Sequence, residues 1–135
     1  AMFFKTDFLK SNICFDDKFF MYDEDIELCL RIKKLNKKIF FVNDAIVSHK
    51  CQGSQKSDTE KIMNQLHPNY SNLNFYLSQT IPNRFYILDT HFKGYKYQLL
   101  KLSLLSYWMR KAVQYMIFGK ISASYLTFKL TIKNL

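Results

Sequence analysis

"FFMYDEDIELCLRIKKLNKKIFFV", Phe19 to Val42, holds a helix signal and a strand signal back to back. Four acids, Asp23, Glu24, Asp25 and Glu27, stand between aromatic residues and an apolar run. Apolar side chains then recur at helical spacing, with Ile26 and Leu30 on one line and Leu28, Ile32 and Leu35 on the next. Asp23 suits an N-cap, and acids in the first turn answer the positive end of the helix dipole. Glu27 and Arg31 are four residues apart in the favourable order. Asn36-Lys37-Lys38 ends the helix. Lys38–Val42 then reads as a strand, aromatic and β-branched between turn residues.

Outward from this stretch the pattern repeats. Ala1–Lys5 and Ala45–His49 read as two further short strands, and residues 6–11 can form a capped helical turn. The chain is therefore expected to be α/β. Residues 50–61 are polar, with Gly53 the most permissive point and Ser57–Glu60 resembling a capping box. Residues 69–92 are aromatic and helix-compatible, with Pro82 expected in a first turn or at a break. Gly94 to about Phe118 is a long amphipathic candidate, Gly119 breaks it, and a further helix can resume from Ile121. No internal repeat or low-complexity tract is evident.

Composition narrows the classes. The 135 residues are 48% hydrophobic, which suits one core-forming domain or a piece of one. Gly numbers only 3, and neither a GxGxxG nor a GxxxxGK[ST] loop occurs. The net charge of +9 is unevenly placed. Residues 1–92 are near balance, whereas residues 93–135 carry eight Lys or Arg and no acid. An anionic partner is therefore to be sought at the C-terminal third. Cys14, Cys29 and Cys51 form no CxxC pair, in keeping with a reducing compartment. No apolar run nears the ~20 residues of a spanning helix.

The clustered carboxylates admit two readings. They can simply cap and start a helix. Alternatively, mutual repulsion and the aromatic flanks can prepare one of them as a general base. His49, at the end of a strand, can be a capping or core residue or a metal ligand. His49 and Cys51 alone do not complete a zinc site. His67 and His91 lie in aromatic, helical surroundings and read as packing residues.

Taken in order, these stretches resemble the second half of the catalytic domain of family 2 (GT-A type) glycosyltransferases. The likeness is greatest to the rhamnosyltransferase-like enzymes of bacterial surface polysaccharide synthesis. It is carried by Phe15-Asp16-Asp17, Phe19-Phe20, Tyr22, Glu24-Asp25, Glu27 to Arg31, Val47, His49 and Gly53-Ser54. Downstream, "NFYLSQTIPNRFYILDTHFKG" (Asn74–Gly94) resembles the family's N-R-x-x-F/Y-x-x-K-H-F/Y-G stretch. The likeness covers about the first 94 residues.

The resemblance implies a C-terminal part of a nucleotide-sugar transferase domain followed by amphipathic helices. Residues 1–56 would be the acceptor and catalytic-base half, 57–92 a helical extension, and 93–135 a basic tail. It makes Asp25 the general base of an inverting sugar transfer and Glu24 a support on the acceptor side. His49 would be a ligand to Mg²⁺ or Mn²⁺, and Gly53 and Ser54 part of the donor loop. Arg31 would be structural, paired with Glu27. The acceptor would be a glycan or a lipid-linked glycan. Two departures stand out: Ile13-Cys14 replaces the family's Gly-Gly, and Lys50-Cys51-Gln52 replaces its small residues. The family's Asp-x-Asp has no counterpart ahead of Ala1–Lys5. The nucleotide-binding half is therefore expected outside these residues, and this chain is expected not to hold the donor unaided.

The basic tail has two readings as well. It can pack on its own domain, or it can lie on an anionic membrane, where Trp108, Arg110 and Lys111, with Tyr107, Tyr115 and Phe118, suit the interface. The second implies a peripheral protein on the inner face of the cell membrane. No nucleic-acid signature accompanies the charge. The function of another class is a non-catalytic membrane-surface or protein-interaction module whose acids are only caps.

Overall fold

A computed structural model describes residues 2–5, 14–47 and 73–135. Among these residues the secondary structure is helical throughout: α1 (Glu24–Lys34), α2 (Leu73–His91), α3 (Gly94–Ile117) and α4 (Ile121–Lys133).

The expected α/β architecture is thus overturned. Residues 2–5, 37–42 and 45–47 form no strand and no ladder. The main-chain bond of this region runs from the Ala45 N–H to the Val42 carbonyl, across a turn. Phe41 and Ile46 are 91% and 94% exposed. The physical reason is that β-propensity measures how well a side chain fits a pleated, half-buried surface. Without a described neighbour to pair with, such a segment gains neither ladder bonds nor burial. Ser48 and His49, the end of the third expected strand, lie outside the described residues. So do the expected helical turn at 6–11 and the helix start at Ser57.

The helices end as their local chemistry requires. After α1, Asn36 takes φ +54°. Its N–H reaches the Lys33 carbonyl, and the Lys37 N–H reaches that of Ile32. After α3, Gly119 takes φ +70° and the same pair of bonds forms, from Gly119 to Met116 and from Lys120 to Tyr115. Both are Schellman stops, which need a residue tolerant of the left-handed region. Pro82 lies inside α2 rather than in its first turn. Its missing N–H deprives the Ser78 carbonyl of its usual donor.

Helix α2 is the centre of the structure. It buries Leu77, Thr80, Ile81, Asn83, Phe85, Ile87 and Leu88, more than one face of a helix can present to a single neighbour. On one side Leu77, Ile81 and Phe85 pack with Trp108 of α3 and Ala123 of α4. Helix α4 turns Ala123, Thr127 and Thr131 inward. Its buried hydroxyls are satisfied within the helix, Thr127 donating to the Ala123 carbonyl and Thr131 to that of Thr127.

Residues 14–23 and α1 are tied to α2. Phe19 meets Tyr86 and Tyr22 meets Tyr76, with ring centroids 5.6 and 5.2 Å apart. The Tyr86 hydroxyl donates to Asp16 at 2.9 Å, and Lys18 lies 3.8 Å above the Tyr86 ring. At the far end of α1, Lys34 donates to the Thr90 carbonyl.

Candidate functional site

The four acids that open α1 have four different surroundings. Asp23 stands at the N-cap, but its φ is +63° and its side chain makes no capping bond. The expected capping role is therefore not the one seen. Its buried carboxylate faces Arg84 of α2, Oδ2 to Nε 3.5 Å. Burial pushes the Asp23 carboxyl above the usual carboxylate range, against the opposing pull of Arg84. The preceding Tyr22 is also left-handed, φ +68°. Asn83 holds this pair in place, its Nδ2 donating to the carbonyls of Met21 (3.0 Å) and Tyr22 (2.8 Å).

Glu27 is 1% exposed and bridges two helices. Its Oε2 accepts from Arg31 Nε at 2.8 Å, as the four-residue spacing predicts. Its Oε1 lies 3.0 Å from Nε2 of His91. A carboxylate can only accept there, so Nε2 carries the proton. His91 Nδ1 is buried with no hydrogen-bond partner among the described residues. Arg31 also donates to the Cys14 carbonyl, which anchors the preceding loop.

Glu24 is half-buried. Its Oε2 is shielded and unpartnered among the described residues. Asp25 is exposed, and its Oδ1 accepts the N–H of Ile26 at 2.8 Å. Among the described residues it makes no ion pair. It lines an open groove of about 490 Å³ with Met2, Ile26, Cys29, Leu30, Lys33, Lys37 and Ile39. The Cys29 thiol there is pushed up by burial and then by the nearby Asp25 carboxylate, which disfavours the thiolate. Cys14 and Cys29 are both free thiols.

His49, Gly53 and Ser54 lie outside the described residues. Among those that are described, no three His, Cys, Asp or Glu side chains converge to hold a metal. The groove's own charged neighbours of Asp25 are Lys33 and Lys37. Asp25 is the one carboxylate among the described residues that line the groove.

The expected membrane contacts divide. Trp108 is 1% exposed and belongs to the core, with the Arg84 guanidinium 5.5 Å from its ring centroid. It therefore does not face an outer surface, because its indole fills the space between α2, α3 and α4. Arg110 is exposed, and Lys111 is half-buried and donates to Gln114.

Sequence reasoning did not foresee the Asp23–Arg84 and Glu27–His91 pairs. The partners are far apart in the chain, and no local spacing announces them. Asn83-Arg84 was visible only as part of a resemblance, without a role. No family model, curated protein or solved structure matches the chain.

Proposed function

We propose that this chain supplies the acceptor side of an inverting sugar transfer, with Asp25 as the proton-accepting carboxylate. One observation carries the reading. Among the described residues, Asp23 and Glu27 are committed to cations within the fold, whereas Asp25 is exposed, without an ion pair, on a groove. The resemblance of the sequence to family 2 transferases points to the same residue.

In this reading the acceptor sugar lies over the apolar floor made by Ile26, Leu30 and Ile39. Lys33 and Lys37 hydrogen-bond to acceptor oxygens. Asp25 takes the proton of the acceptor hydroxyl through Oδ2, since Oδ1 already accepts a main-chain N–H. The hydroxyl oxygen attacks the anomeric carbon of a nucleotide sugar. The bond to the diphosphate breaks, and the nucleoside diphosphate leaves with that electron pair. Inversion follows because the base and the leaving group lie on opposite faces of the ring. The metal expected to assist departure has no ligand set among the described residues.

The test is a panel of nucleotide sugars offered to the protein isolated from its native source, with glycan and lipid-linked acceptors and Mn²⁺ present. Acceptor-dependent release of nucleoside diphosphate, with a glycosylated product by mass spectrometry, is expected. No product from any donor would overturn the reading.

A further inference from the structure

Helix α3 has two apolar faces, and among the described residues only one of them is covered. The inner face carries Trp108 and Ala112, with Leu104, Leu105 and Tyr115 packed against the core. The outer face carries Tyr95, Leu99, Leu102, Met109, Val113 and Met116, spaced alternately by four and three residues once Ser106 is counted. That spacing keeps one line along the helix surface. Tyr95, Leu99 and Leu102 are 72%, 63% and 66% exposed, and Val113 and Met116 are 49% and 58% exposed.

Charge indicates what covers this line. The row beside it contains Lys96, Ser103 and Arg110, all exposed. Residues 93–135 contain eight Lys or Arg and no acid. A second copy pairing along the line would bring cations against cations, with no acid in this region to answer them. An anionic lipid surface answers them directly. Apolar side chains enter the acyl boundary while Lys and Arg stems reach up to phosphate groups. Helix α4 adds exposed Ile121, Tyr125, Phe128 and Ile132 with Lys129 and Lys133 in the same style. Among the described residues no helix is long and apolar enough to cross a membrane. The 24 residues of α3 would lie along the surface for about 36 Å.

We propose that the outer face of α3, from Tyr95 to Met116, is a docking surface for an anionic membrane. Its anchors are not the sequence-level candidate Trp108 but the Leu99, Leu102, Val113 and Met116 line, flanked by Lys96 and Arg110. This surface is independent of the sugar-transfer reading and stands or falls on its own measurement.

The experiment is co-sedimentation of the full chain with phosphatidylcholine vesicles, with and without about one third phosphatidylglycerol. Binding at least about tenfold tighter to the anionic vesicles, weakened by salt, is expected. The variant Leu99→Gln/Leu102→Gln/Val113→Gln/Met116→Gln should lose binding while its helicity by circular dichroism stays unchanged, since these side chains leave the core intact. The second variant, Lys96→Gln/Arg110→Gln, should weaken binding about fivefold per cation removed. Unchanged binding by either variant would overturn the proposal, as would equal binding to both vesicle types. A chain that ignores vesicles but dimerises through this line, as shown by loss of the dimer in the fourfold variant, would also overturn it in favour of a second copy.

Discussion

His91 Nε2 lies 3.0 Å from Glu27 Oε1, and both side chains are 2% exposed. The contact joins the last residue of α2 to the first turn of α1, across 64 positions of sequence. Glu27 also holds Arg31, so one buried carboxylate organises two cationic or polar partners. Truncating it strands both. Glu27→Ala should lower stability by about 3 kcal/mol, because breaking a buried pair leaves the remaining groups desolvated and unpartnered. Urea unfolding followed by circular dichroism reads this directly. A loss under about 0.5 kcal/mol, the usual scale of a surface change, would show that the network is not structural.

Asn83 should be nearly as sensitive. Its amide donates to the two carbonyls that frame the left-handed Tyr22–Asp23 pair. Asn83→Ala leaves both carbonyls short of a donor, and about 1–3 kcal/mol is expected. Asn83→Asp should cost more, since a carboxylate repels the same carbonyls. Equal stability of Asn83→Asp and the wild type would refute the clamp.

Asp23 gives a pH signature. Burial raises its carboxyl pKa in the folded chain. The folded state therefore holds this proton more tightly than the unfolded state. The stability it contributes is full below the ordinary carboxylate pKa and is lost as pH rises through the folded value. Above that folded value Asp23 carries its charge in a buried place, so Asp23→Asn should stabilise there. The gain should fade on acidification as the wild-type carboxyl protonates. Denaturation midpoints across pH 3 to 8, compared for the two proteins, test the sign, and a gain that grows toward acid would contradict it.

Trp108 is the one tryptophan of the chain and is buried in the core. Its emission should report folding and should not shift when anionic vesicles are added. Trp108→Ala should cost about 3–5 kcal/mol. A blue shift with vesicles, or quenching by brominated lipid, would return Trp108 to the membrane face.

The helices were legible where the signal is local. Acids at the start of α1, Asn36 and Gly119 at helix ends, and the Glu27–Arg31 spacing all act within a few residues, and sequence displays such things. Helix α3 was legible as a helix, but not in its orientation. It is apolar on two lines, and periodicity alone cannot say which line the core takes. Trp108 was misplaced for that reason. The α/β expectation failed at Lys38–Val42 because β-propensity needs a partner strand, and none is described. The candidate site is mixed in the same way. Asp25 was singled out through the resemblance alone, and its exposure on a groove is visible only in the fold. The removal of Asp23 and Glu27 from contention depends on Arg84 and His91, which only the fold brings near.

The central claim is that Asp25, and not its neighbours, accepts the acceptor's proton. It is tested most directly by the initial rate of sugar transfer in Asp25→Asn against Glu24→Gln, on whichever donor and acceptor the panel identifies. A general base is worth about 10²–10⁴ in rate. Asp25→Asn should fall by that factor with donor binding kept, while Glu24→Gln should keep most of its rate. A transfer rate in Asp25→Asn equal to that of the wild type would contradict the account.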